Sequence, residues 1–115
     1  MISRSKYRNR KVTWMGNTYD SEKERHRHAE LLLLERAGAI QGLQRQYKFT
    51  LLPSQIYDGK VIERPCCYVA DFVYQENGNT IVEDVKGYKK GQAYALFTIK
   101  RKMMFHFFGI RIKEV

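Results

Sequence analysis

The sequence is short of acids, cysteines and prolines, and it has no long apolar run. Twelve Asp and Glu stand against 21 Lys and Arg in 115 residues, a net charge of +9. That deficit of acid makes a polyanion the expected partner. The two cysteines, Cys66 and Cys67, are adjacent and cannot close an ordinary intradomain bridge. No disulfide framework is expected, and a reducing cytoplasm fits. Neither a C-x-x-C spacing nor a His pair at i, i+4 is present, which excludes the usual zinc patterns. His26 and His28, two apart on a predicted helix, point in different directions and read as solvated residues, not ligands. With only two prolines and 43% hydrophobic residues the chain is not of the disordered class. The longest purely apolar run, Leu31 to Leu34, is far too short to cross a bilayer, and the N-terminus lacks a signal-peptide core. A soluble intracellular protein with no membrane partner is expected.

What is there suffices for one domain, since a chain of this length buries roughly two-thirds of its unfolded surface around a single core. Residues 1–10 read as a basic arm and 11–115 as the domain. Lys11 to Trp14 and Thr18 to Tyr19 flank Met15-Gly16-Asn17 and predict a short hairpin. Ser21-Glu22-Lys23-Glu24 matches a capping box, predicting a helix to about Ala37 that stops at Gly38, with Leu31 to Leu34 supplying a wide apolar face. Tyr47 to Leu52 reads as a strand ending at Pro53, Ser54 to Lys60 as loop, and Val61 as the start of a weaker strand. Tyr68 to Tyr74 and Thr80 to Lys86 are two β-rich runs around Asn77-Gly78, a strong hairpin signal. A basic loop over Gly87 to Gly91, a helix over Gln92 to Met104 and a closing strand over Phe107 to Val115 complete the chain. The expected class is mixed α/β with one central sheet.

The chemistry lies in the hairpin. If Asn77 and Gly78 are its central residues, Glu76 pairs with Asn79, and counting outward sets Asp71 opposite Asp84. Opposed Cβ atoms are about 5 Å apart, and like charges there are destabilising unless offset. The strand period of two puts Lys86 on the same face. Alternation adds Val69, Val73 and Val82 to that face and sends Ala70, Phe72, Tyr74, Ile81 and Val85 to the other, with Glu83 structural. Ions in so apolar a setting cost several kcal/mol each in desolvation before pairing, and a hard cation such as Mg²⁺ offsets them through oxygen ligands. The competing reading is a surface hairpin whose acids face water. Glu24, with His28 and Leu31 following at i+4 and i+7, is the candidate third acid, although as the third residue of the capping box it also has a purely local role. Gln46 is an accessory candidate that would reach a metal-bound water or a phosphate.

Asp71 followed by Asp84-Val85-Lys86 resembles the PD-(D/E)XK nuclease signature. More of the chain resembles a family of small phage endonucleases assigned to Holliday junction resolution. The matching segments are Ser5-Lys6-Tyr7, Asp20-Ser21 with Glu24, Gly38-Ala39-Ile40, Gln46 with Phe49, Ala70-Asp71-Phe72-Val73-Tyr74, Val82 to Gly87, and Ile112 to Val115. Two departures stand out: Ala70 precedes Asp71 where the superfamily pattern has proline, and the second acid is Asp84 where Glu is commoner. The resemblance implies a restriction-endonuclease-like αβββαβ core. It also implies Glu24, Asp71 and Asp84 as metal-side acids and Lys86 as the residue that orients or activates the attacking water.

The expected function is thus Mg²⁺-dependent hydrolysis of DNA phosphodiesters, Mn²⁺ being able to substitute, in branched DNA during recombination. The location would be the host cytoplasm if phage-encoded. Arg4, Lys6, Arg8, Arg10 and Lys11 at one end and Lys89, Lys90, Lys100, Arg101 and Lys102 at the other are the expected phosphate contacts. Symmetric cutting of a four-way junction needs two active sites, and so a homodimer. Two alternatives stay open: a non-catalytic nucleic-acid-binding protein with a structural acidic pair, and a nuclease acting on duplex DNA or DNA ends. Tyr68, Phe72 and Tyr74, at strand spacing, read as core and not as base-stacking residues.

Overall fold

A computed structural model describes residues 10–87 and 89–115; Arg4, Lys6 and Arg8 lie outside the described residues. The chain opens with a hairpin of β1 (Val12–Trp14) and β2 (Asn17–Tyr19). Its two turn residues, Met15 and Gly16, both have positive φ, the backbone that matches the twist of a two-residue hairpin. Helix α1 (Glu22–Arg36) follows, capped by Ser21, whose hydroxyl accepts the Glu24 N–H. Glu24, His28 and Leu31 are its buried residues, one per turn along a single face. The apolar face is narrower than the leucines imply, because Leu33 and Leu34 are exposed.

A four-stranded sheet forms the centre, with order β3 (Gln41–Leu52), β6 (Cys66–Glu76), β7 (Asn79–Asp84) and β8 (Lys113–Glu114). Its first two pairings are antiparallel and the last is parallel. The parallel return from β7 to β8 runs through α2 (Gly91–Phe108), as a parallel connection must cross over the sheet. The protein is therefore mixed α/β, a central mixed sheet flanked by helices with an N-terminal antiparallel hairpin. Among the described residues no helix is long and apolar enough to cross a membrane.

Three local readings are corrected. β3 begins at Gln41, not Tyr47. The stretch read as loop after Ser54 holds a strand, β4 (Gln55–Tyr57), which pairs with the strand expected near Val61, β5 (Lys60–Glu63), across a turn of Asp58 and Gly59 at positive φ. The closing strand is much shorter than expected: α2 continues through Phe108, stops at left-handed Gly109, and leaves β8 only two residues.

Two apolar clusters lie against the sheet. Leu31 and Ile40 pack with Phe72 and Tyr74 on the α1 side. Leu51, Tyr68, Ala70, Val73, Val82, Phe97, Met104 and Ile112 pack on the α2 side. Ala70 and Phe72 thus face opposite ways although they are two apart on one strand. The cause is a matched irregularity: Arg45↔Phe72 and Tyr47↔Ala70 stay in register, while Gln46 between them adopts φ +51° and it and Asp71 drop out of the ladder. Each strand gives up one residue to the irregularity, so the faces turn over without a register shift. Ala70 therefore joins the Val73 and Val82 side instead of opposing it, and Val69, 46% exposed, belongs to neither cluster.

Candidate active site

The Asn77-Gly78 turn closes β6 on β7 with Glu76↔Asn79 through Phe72↔Glu83 in register. One step beyond, Asp71 and Asp84 do not continue the ladder. Asp71 instead accepts the Val85 N–H through Oδ2 at 2.8 Å, a carboxylate standing in for a backbone partner where the strands part. Its Oδ1 accepts from Gln46 Nε2 at 3.3 Å, and the same amide nitrogen donates to Glu24 Oε2 at 3.0 Å. Gln46 thus holds a helix acid and a strand acid together. Its left-handed backbone is the strain that accompanies this placement, of the order of 1–3 kcal/mol for a non-glycine residue.

Glu24, only 2% exposed, uses its two oxygens differently. Oε1 accepts the Asp20 N–H at 3.0 Å in a capping-box arrangement, which leaves Oε2 to face Gln46 and, at 3.5 Å, the Arg45 guanidinium. Arg45 also lies 4.1 Å above the Tyr19 ring.

Asp84 is buried, with Lys86 Nζ 2.9 Å from Oδ1 and the Tyr68 hydroxyl donating to Oδ2 at 2.6 Å. Lys86 rests 3.5 Å above the Phe97 ring of α2, where the ring face favours a cation, and its carbonyl accepts from Lys23 Nζ of α1. Burial raises the Tyr68 hydroxyl pKa well above its ordinary value, and the Asp84 charge adds to it, so Tyr68 stays a donor.

Electrostatics single out Asp71. Burial drives its carboxyl upward, the Val85 N–H opposes that, and the charges of Asp84 and Glu24 add to the rise, leaving it pushed up to about 7. The Asp71 carboxylate on β6 therefore lies within electrostatic reach of two others, from α1 and β7. The three offer hard oxygen donors with no thiol or imidazole among them, which fits Mg²⁺ or Mn²⁺. Among the described residues no three acidic, His or Cys side chains form a ready-made metal cage. A cation that keeps waters and substrate oxygens in its shell requires only one or two carboxylates.

Of the expected site residues, Glu24, Gln46 and Asp71 form one hydrogen-bonded group, and Asp84 and Lys86 a second beside it. Sequence reasoning missed Tyr68 and Arg45 as members. Tyr68 belongs to the core as expected, but its hydroxyl reaches Asp84 only because the faces turn over at Asp71. His28 is not the solvated residue expected: it is buried, shares a hydrogen bond of 2.6 Å with the Tyr19 hydroxyl and stacks on Phe72. Burial followed by the nearby Arg45 charge lowers its pKa, so it is a neutral core residue.

The expected phosphate contacts are dispersed. Lys11 pairs with Asp20, Arg10 is exposed, and Lys90 precedes α2. Lys100, Arg101 and Lys102 fan around α2 at about 100° per residue instead of forming one stripe. Lys89 and Arg101 both reach Glu114, at 3.8 and 3.0 Å.

Known proteins add little chemistry. No curated protein and no solved structure matches the chain. One family does match, over residues 4–114; the chain belongs to the family described as "Protein of unknown function (DUF1064)".

Proposed function

We propose that the protein is a Mg²⁺-dependent endodeoxyribonuclease of the PD-(D/E)XK kind that cuts branched DNA, as the resemblance of Asp71 and Asp84-Val85-Lys86 implies. One observation carries the reading: Asp71, driven to about 7 by burial and by Asp84 and Glu24, sits beside a lysine-paired second acid. Such an arrangement is costly to the fold by itself, and a hard cation with a phosphate would offset that cost. A divalent ion held by Asp71 and Asp84, with Glu24 beside them, would supply Lewis-acid polarisation of the scissile phosphate and a bound water of lowered pKa.

The chain's own groups do the rest. Lys86, fixed by Asp84 and the Phe97 ring, orients the attacking water and steadies negative charge developing on the phosphoryl oxygens. Tyr68 fixes Asp84, and Gln46 sets the spacing of Glu24 and Asp71. The +9 charge supplies sequence-independent affinity through phosphate contacts. Symmetric junction cutting calls for a two-fold homodimer. Two free cysteines suit a reducing cytoplasm.

The test compares a four-way junction, a flap, a nicked duplex and a linear duplex in Mg²⁺ and in EDTA. Junction cleavage that vanishes in EDTA is expected. Equal cutting of all four would sink the junction assignment, and no cutting of any would leave only a binding protein. A second prediction follows from the proton on Asp71. Below pH 7 a cation must displace it, so Mn²⁺ affinity, measured calorimetrically, should rise about tenfold per pH unit up to about 7 and then level off. A flat profile from pH 5 to 8 would exclude Asp71 as a ligand.

A further inference from the structure

The aromatic residues that the sequence put in the core are there: Tyr68, Phe72 and Tyr74 are all buried. A different set is not. Tyr47 is 40% exposed, Phe108 45% and Phe105 57%. Tyr47 and Phe49 lie on β3, an edge strand of the sheet, and their ring centroids are 4.9 Å apart. Phe49 meets Phe108 of α2 at 5.6 Å and stacks on Tyr68 at 6.3 Å with 18° between the planes. Phe105 lies one helical turn before Phe108.

These rings form a half-open strip that starts one residue from Gln46 and ends, through Tyr68, on Asp84. Phe105, one turn from Phe108 on α2, lines a cavity of about 490 Å³ with Ile112, Arg101, Lys102, Arg111 and Glu114. Apolar ring faces beside three cations and one acid match a nucleotide strand, with bases for the rings and phosphates for the cations. They match a second copy of this chain poorly, since that copy brings the same cations and another +9.

The geometry points to a stacking platform in which Tyr47, Phe49 and Phe108 hold an unpaired nucleobase next to the scissile phosphate. The inference rests on the nuclease reading and gives its substrate class a physical basis. A base inside a duplex has both faces covered by its neighbours, so only an unstacked base, as at a branch point or in a single strand, offers a face to these rings. Discrimination for branched or single-stranded DNA then comes from stacking, independent of the metal.

The experiment measures binding by fluorescence anisotropy in EDTA, with a labelled oligothymidine single strand and a labelled blunt-ended linear duplex as probes. Tyr47→Leu and Phe108→Leu keep apolar bulk and remove the ring. Each should weaken single-strand binding about tenfold, the size of one base-aromatic stack, and leave duplex binding and its salt dependence unchanged. Tyr47→Phe keeps the ring and should retain the single-strand affinity, which separates stacking from misfolding. Equal loss on both probes, no loss on the single strand, or conversion of a dimer to a monomer by the Leu variants would overturn the platform. The nuclease reading fails separately, on absence of Mg²⁺-dependent cleavage by the unaltered protein.

Discussion

Asp71→Asn is expected to abolish cleavage, by on the order of 10³-fold or more, equivalent to about 4 kcal/mol of transition-state stabilisation, while the fold survives. Asparagine is isosteric, and its amide oxygen still accepts the Val85 N–H that Asp71 accepts at 2.8 Å. What it loses is the charge and the second oxygen, which accepts from Gln46 Nε2 at 3.3 Å. The same substitution should change how stability depends on pH. In the folded protein the Asp71 carboxyl sits near 7 against an ordinary 3.8, so the native state binds the proton more tightly than the unfolded chain. A raised acid contributes stability that is fully present below 3.8 and is lost as pH rises to 7, with no further change above. The substituted amide does not titrate and has no such loss. Melting temperatures in EDTA should therefore shift in favour of the variant between pH 4 and pH 7, and the difference should level off beyond. A variant that stays active would remove the enzymatic reading. One that tracks the unaltered protein at every pH would show that Asp71 does not carry the proton.

This pairing of lost activity with relieved native-state strain distinguishes a functional acid from a structural one. The left-handed φ of Gln46 belongs to the same pattern of local strain. A residue in that conformation, spanning Glu24 and Asp71 with one amide nitrogen, is over-determined by its surroundings, as such residues must be to persist.

Part of the site was legible because its determinants are local. The Asn77-Gly78 turn fixes the β6–β7 register within a few residues, so counting outward holds as far as Phe72 and Glu83 and fails one step later, where Asp71 bonds to the Val85 N–H instead of pairing with Asp84. The capping box located the start of α1, and helical periodicity turned Glu24 inward with Leu31, although His28 between them was expected to be solvated and is buried. The choice between cap and site for Glu24 was not decidable from spacing, because a carboxylate has two oxygens and this one uses each for a different purpose. The Tyr68–Asp84 bond was hidden by the irregularity at Gln46 and Asp71. Strict alternation sends Tyr68 away from the charges, and nothing in the dipeptides around Gln46 signals a positive φ there. The β4 strand is a different kind of omission: Asp58-Gly59 is a turn signal in its own right and a strand near Val61 was expected beyond it, but the run before it, Gln55–Tyr57, is too short to stand out as the partner strand. The end of α2 is hard to read because Phe105, Phe107 and Phe108 favour strands in isolation, whereas the continuing helix and the Gly109 cap decide otherwise.

Arg27→Met should be the most destabilising single change away from the active site. Glu83 lies between Val82 and Asp84 but faces the α1 side and is fully buried. Arg27 reaches it with two nitrogens, Nε at 2.8 Å and Nη2 at 2.6 Å, the Tyr74 hydroxyl donates to it as well, and Lys113 stands at 4.0 Å. Burial acts against the Glu83 charge, yet the hydrogen bonds from Arg27 and Tyr74 prevail and hold its pKa below the usual range. Removing Arg27 leaves a buried carboxylate with one hydroxyl and a distant lysine, a situation that typically costs about 3–5 kcal/mol. Because the Arg27 side chain is 21% exposed and Lys113 remains, the expected loss is about 3 kcal/mol, or a melting temperature lower by roughly 10 °C. Adding Glu83→Gln should restore part of it, since a neutral amide still meets the Tyr74 hydroxyl and no charge is left unpaired. That recovery is the mark of coupling in a double-mutant cycle, and its absence would mean that Arg27 acts through packing alone. Cleavage per folded molecule should stay unchanged in both variants, because Glu83 and Asp84, adjacent in the chain, point to opposite faces of the sheet, one bonded to α1 and the other to Lys86 and Tyr68.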